Sequence, residues 1–203
     1  NSALPDESWA PLIAKWGYTI GFILVILGRL QLFTENTITT VVPIFKPFAW
    51  KKIIFLLRLW VIVLGSNLVG TALAATFMSL PGVVDPPLST ELGLIAHHVA
   101  SFTPWENVIR GIPSGIVWMI PSARHFSFFI IAFFTYFIAL GDFTHVVVGS
   151  AEMFYAVLNT DASFYDYFFR FLLPTGLGNV LGGTGVFTLL IYGQIGEELK
   201  EKA

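Results

Sequence analysis

The sequence predicts an all-α membrane protein, a bundle of transmembrane helices built as an inverted repeat around two broken helices. Three observations carry that expectation. The apolar runs are long and poor in charge, two spans turn polar at their centres, and the span after each polar break holds an Asn-x-x-Gly segment. Apolar residues make up 55% of the 203 and charged residues 12%, and mean hydropathy is +0.75. A soluble domain carries about 25% charged residues. A helix needs roughly 20 apolar residues to cross the hydrocarbon core. Five stretches approach or exceed that length, at 17–43, 53–78, 105–120, 126–158 and 171–195.

The first span is interrupted at Gln31-Leu32-Phe33-Thr34-Glu35-Asn36-Thr37, leaving half-helices over 17–32 and 37–45. Non-helical backbone at membrane depth survives only where it is buried in protein or lines a cavity. The second span carries Asn67-Leu68-Val69-Gly70-Thr71. After it, 91–102 reads as a short amphipathic stretch on the outer side with His97 and His98. The third span opens with a capping box, Thr103 as N-cap, Pro104 at N1 and Glu106 at N3. The fourth breaks at Gly141-Asp142-Phe143-Thr144-His145, between half-helices at 126–140 and 146–158. The fifth carries Asn179-Val180-Leu181-Gly182-Gly183-Thr184, whose glycines read as a helix-packing face.

Broken helix followed by Asn-x-x-Gly helix therefore occurs twice, three spans apart, so the two copies face opposite ways in the membrane. The whole of 1–203 reads as a single transmembrane domain, with a first repeat over about 17–78 and a second over about 92–195. The second repeat has a leading helix and the first has none, so a sixth span is expected ahead of this sequence.

Charge bounds function and orientation. A net charge of −2 offers no basic patch for nucleic acid, and without cysteine there are no disulfides, no Cys-ligated zinc and no thiol catalysis. No secretory signal pattern opens the chain. Lys46, Lys51, Lys52, Arg58, Arg124, Lys200 and Lys202 fall at one set of span ends, and Lys15 and Arg170 at the other with six acids. The positive-inside rule places the C-terminus in the cytoplasm.

His145 is the histidine at the centre of a span. With an ordinary pKa of about 6.5, imidazole titrates in the physiological range. The half-helices expected to start near Thr37 and Val146 aim their N-termini at the same region, where free N–H groups and the helix dipole favour an anion. Thr34 adds a hydroxyl donor. A core histidine bonded to a neighbouring carbonyl is the structural alternative. Arg29, Glu35, Asp142 and Glu152 also lie in or near spans, and pairs of Arg29 with Glu35 or Asp142 would neutralise both charges. His97 and His98 read as a surface pair.

With these segments in order, the sequence resembles the formate/nitrite transporter family, and within it the YfdC-like branch of bacterial inner-membrane proteins. The resemblance rests on Gln31 to Thr37, Arg110-Gly111-Ile112, Gly141 to His145 ending in Phe-x-His, and Gly178-Asn179-Val180-Leu181-Gly182-Gly183. Asp142 is one residue more than the family pattern has there. The resemblance implies an aquaporin-like fold of six spans, five of them visible here. It also implies a pore in each protomer, a homopentamer in the lipid bilayer, and small monovalent weak-acid anions as substrates. Leu32, Phe33 and Thr34 then fall on the gating loop, Phe137 on a constriction, His145 on the central histidine and Asn179 on its polar neighbour. The expected protein is a channel or transporter, proton-coupled through His145, and not an enzyme; no cofactor or metal is implied. Two other readings stand beside it. One is a non-transporting scaffold of the same family acting in interactions or stress. The other is a haem-binding respiratory subunit, disfavoured because His98 precedes the capping box and lies outside a span.

Overall fold

The computed structural model describes residues 9–28, 30–39, 49–117 and 127–186 of the chain. Every regular element among the described residues is helical. The first span comprises α1 (Ala10–Ala14), α2 (Trp16–Leu27) and, after a break, α3 (Phe33–Thr39). The described non-helical residues of the break are 30–32, at the front of the polar segment expected to cause it. Helix α2 closes at Gly28, whose N–H donates to Leu24 O at 2.9 Å, while Leu30 N–H reaches back to Val25 O at 3.0 Å. Thr34, Glu35, Asn36 and Thr37 belong to α3 instead. Two of these polar side chains turn onto the local backbone, which satisfies them without ending the helix. Asn36 Nδ2 donates to Leu32 O at 2.9 Å and Thr37 Oγ1 to Thr34 O at 2.7 Å.

Helix α4 (Trp50–Met78) runs for 29 residues. It and the stretch Ala10–Leu27 are each long and apolar enough to cross a membrane. Helix α5 (Pro86–Ser101) starts earlier than the amphipathic stretch read from sequence, because Pro86 and Pro87 supply its first turn, where a missing N–H costs nothing. The capping box before α6 (Pro104–Val117) forms as expected. Thr103 N–H and Oγ1 donate to Glu106 Oε2 at 2.7 and 2.8 Å, and Glu106 N–H donates to Thr103 Oγ1 at 3.3 Å.

Helix α7 (Ser127–Leu140) ends at the second break, 141–145, and α8 (Val146–Asn159) follows, matching the sequence expectation. The last described span joins a π-helical stretch, Asp166–Leu172, to α9 (Leu173–Val180) and a second π-helical stretch, Leu181–Val186. A reciprocal cap starts it. Ser163 N–H donates to Asp166 Oδ2 at 3.0 Å and Asp166 N–H to Ser163 Oγ at 3.2 Å.

Glycines let α6 and the final span touch backbone to backbone. A Cβ built on Gly182 would stand 2.0 Å from Ile112 O, and one on Gly115 2.2 Å from Asn179 O. The packing role read for the glycine-rich segment thus holds at Gly178 and Gly182, both enclosed by α6 backbone. Elsewhere α2 packs on α7, with Trp16 stacked on Tyr136 at 4.8 Å, and α4 packs on α8. The main core cluster includes Phe22, Leu32, Phe33, Val146, Val147 and Phe171, so both breaks share one apolar centre. The outer face of α4, with Val61, Ile62, Val69 and Leu73, stays exposed, as a lipid-facing helix does.

Candidate functional site

The two breaks meet at the centre of the bundle. Thr34 Oγ1, on the first turn of α3, lies 2.9 Å from His145 Nε2, at the end of the second break. Both residues are buried, Thr34 completely. Of the residues singled out from sequence, Leu32, Phe33, Thr34, His145 and Asn179 are brought to this centre and buried there.

His145 is the N-cap of α8. Its Nδ1 accepts the N–H groups of Val147 and Val148 at 3.3 and 3.4 Å. A backbone N–H only donates, so Nδ1 carries its lone pair and the ring proton sits on Nε2. That fixes the direction of the remaining bond: Nε2–H donates to Thr34 Oγ1. The Phe22 ring packs edge-on against the imidazole at 5.1 Å and closes its apolar side.

Asn179 completes the cap from the final span. Its Oδ1 accepts Val146 N–H at 2.9 Å, and its Nδ2 donates to Gly111 O at 2.9 Å and Thr144 O at 3.0 Å. Asn67 on α4 repeats the arrangement at the first break. Its Oδ1 accepts Phe33 N–H at 3.0 Å and its Nδ2 donates to Gln31 O at 3.0 Å. In both places one amide spans the first N–H of a half-helix and the carbonyl two residues earlier. The first half-helix starts at Phe33 rather than near Thr37, and the N–H groups expected to be free at the two starts are occupied at Phe33, Val146, Val147 and Val148. The reason is that a short helix buried in protein must satisfy its own terminal donors. Thr144 anchors the second break to α6, its N–H donating to Arg110 O at 3.2 Å and its Oγ1 to Asn107 O at 3.2 Å.

A half-open cavity of about 540 Å³ lies beside α5, with His145 among its lining residues. Lys15, Tyr18, Glu91, His98, Asp142 and Glu152 bring polar groups to it, and Ile95, Ile138, Phe143 and Phe171 form apolar wall. Asp142 pairs here with partners other than those expected. His98 Nε2 lies 2.6 Å from its Oδ2, and Arg110 Nη1 3.5 Å from the same oxygen and 3.1 Å from its carbonyl. The Arg110 guanidinium also sits 4.2 Å above the Phe102 ring, a cation–π contact. Asp142 takes φ 55°, the left-handed region that Asp tolerates better than most residues. Glu35 is exposed on α3, and Arg29, its other suggested partner, lies outside the described residues.

Phe137 stands apart from this group. It is half exposed, its ring 6.0 Å from that of Phe143, and Phe143 is the one lining the cavity. His98, read as a surface histidine, lines the cavity mouth, whereas His97 lies with Asp161, Asp166 and Arg170 in a separate depression. Residues missed by sequence reasoning are Tyr18, Thr144 and Asn67 as a staple. The repeated Asn-x-x-Gly was the signal for the last; nothing local marks the other two.

Comparison with known proteins agrees with this architecture. The chain is 39% identical over 196 residues to the inner membrane protein YfdC of Escherichia coli (strain K12), covering 94% of this chain. It spans 63% of that relative's length. Its fold is similar to that of a pentameric formate channel solved with formate bound, at a TM-score of 0.72 and 24% identity over 95% of this chain and 86% of that one. The family model for formate/nitrite transporters matches residues 1–193, and the chain belongs to that family.

Proposed function

We propose that each protomer carries a pathway for small monovalent anions of weak acids, formate- or nitrite-like, and that five protomers assemble in the membrane. The observation that carries the reading is the Thr34–His145 contact at the inner end of the cavity. Burying an unpaired anion in an apolar site costs many kcal/mol, so a pathway for it needs polar donors or a proton supplied along the way. With His145 Nε2–H donating to Thr34 Oγ1, the hydrogen of the Thr34 hydroxyl remains to donate to an oxygen of the passing substrate, anion or conjugate acid. Family membership and the formate channel's fold support the same substrate class and the pentamer. The recurring asparagine staple supports a domain of two related halves in opposite orientation. The distribution of Lys and Arg supports a cytoplasmic C-terminus.

The test is flux of formate, nitrite, lactate and hydrosulfide into proteoliposomes, measured against protein-free liposomes. At least one should enter faster with the protein present, and Thr34→Ala should slow it. No protein-dependent flux of any of the four would overturn the reading, and a monomeric mass in mild detergent would overturn the pentamer.

A further inference from the structure

Resting on that anion pathway, we propose that Glu152, rather than His145, is the group that passes a proton to the anion before it reaches the Thr34–His145 contact. His145 is badly placed to do so. Its Nδ1 already receives two backbone N–H groups, and a proton there would set three hydrogens against one another. Its Nε2 hydrogen is the only one on the ring, and giving it up would leave an imidazolate.

Glu152 has neither restriction. It sits on α8 seven residues after His145, two turns along the same helix face, roughly 10 Å away by helix rise. It lines the same cavity, is partly buried, and among the described residues its carboxyl makes no hydrogen bond or ion pair. The Tyr18 hydroxyl, on helix α2, is buried without a hydrogen-bond partner among the described residues and lies near enough to interact with the Glu152 charge. An unpaired carboxyl and an unpaired hydroxyl thus line one cavity, which is the arrangement that leaves room for a polar guest.

The other charged and titratable groups facing the cavity are Lys15 from the turn before α2, Glu91 and His98 from α5, and Asp142 from the second break. The cations among them are committed, since Lys15 Nζ donates to Ala139 O and His98 is bound to Asp142. Asp142 is near enough for its charge to act on Glu152. The step is a simple proton transfer. The carboxyl O–H bond of Glu152 breaks, an O–H bond forms on the anion, and the neutral acid passes the contact. The carboxylate left on Glu152 is reloaded by a proton from water on the α5 side, with no change of oxidation state. Anion and proton cross together, and the movement carries no charge.

The experiment uses liposomes holding the full protein and an entrapped pH indicator, with lactate as probe and membrane potential set by a potassium gradient. In wild type, lactate and protons should enter in equal amounts, independent of potential. In Glu152→Gln, proton-coupled entry should fall roughly 100-fold, the low end of what a positioned proton donor contributes. Any residual entry should depend on potential. Glu152→Asp, which restores an acid one methylene shorter, should recover part of the coupled flux and shift its pH profile. An infrared titration adds a readout that a merely structural role would not move: a carboxyl band that responds to lactate in wild type and Glu152→Asp, and is missing in Glu152→Gln. Unchanged coupled flux in Glu152→Gln, or coupled flux lost equally in Glu152→Asp with the pentamer intact, overturns the role of Glu152 and leaves the pathway standing. No wild-type flux of any tested anion overturns the pathway, and this role with it.

Discussion

Replacing Asn179 by alanine tests the centre of the structure most directly. The side chain is fully buried and makes three hydrogen bonds, to Val146 N–H, Gly111 O and Thr144 O. Truncation strands all three groups in a fully buried site. A buried polar group left without its partner costs about 1–3 kcal/mol, and the two carbonyls, each with a second lone pair, fall at the low end, for a total of about 3–5 kcal/mol. Asn67→Ala serves as the internal control. It removes two bonds in a more exposed setting and should cost about 1–2 kcal/mol. For a domain of this size 1 kcal/mol corresponds to about 2–4 °C, so Asn179→Ala should lower the melting temperature by about 6–20 °C. Tryptophan fluorescence during a thermal ramp in mild detergent reads this out, and the chain carries 6 tryptophans. A loss in Asn179→Ala no greater than that in Asn67→Ala would refute the reasoning that Asn179 supports the second break.

Three further expectations concern packing and capping. His145→Ala removes the acceptor for two N–H groups of α8 and should cost about 0.5–2 kcal/mol, while His145→Asn, a good N-cap, should recover most of that loss in the same thermal assay. Gly182→Ala drives a methyl into the Ile112 carbonyl and should destabilise by about 1–3 kcal/mol or more. Gly93→Ala on α5 meets nothing within 4 Å and should be neutral or stabilise by up to about 1 kcal/mol.

What the sequence disclosed and what it concealed divide along physical lines. Apolar runs and the capping box at Thr103 were legible because they depend on local pattern, and the two broken spans of the inverted repeat brought Thr34 and His145 to one point. The first break was misplaced because polarity is a poor guide to helix ends when Asn36 and Thr37 can satisfy themselves on their own backbone. The protonation of His145 was not legible at all. It is set by which N–H groups the folded chain delivers to Nδ1, and that depends on the turn at 141–145 rather than on neighbours in sequence. The partners of Asp142 were hidden for the same reason, since His98 and Arg110 reach it from helices 44 and 32 residues away along the chain.

Helix α4 sets a mechanical condition on all of this. Beyond its last cation, Arg58, the helix runs apolar over 59–78, about 30 Å by helix rise, which matches about 30 Å of hydrocarbon in an ordinary bilayer. A thinner bilayer obliges the helix to lean, or the lipid around it to thicken, at a cost of fractions of a kcal/mol per Å of mismatch. Lys51 and Lys52 in its first turn hold that end at the headgroups. Asn67, midway along α4, grips Gln31 and Phe33, so the lean of this one rod is imposed on the first break. Acyl-chain length thereby becomes a variable acting on the protein's centre, and shorter lipids should load the Asn67 hinge before they disturb Asn179.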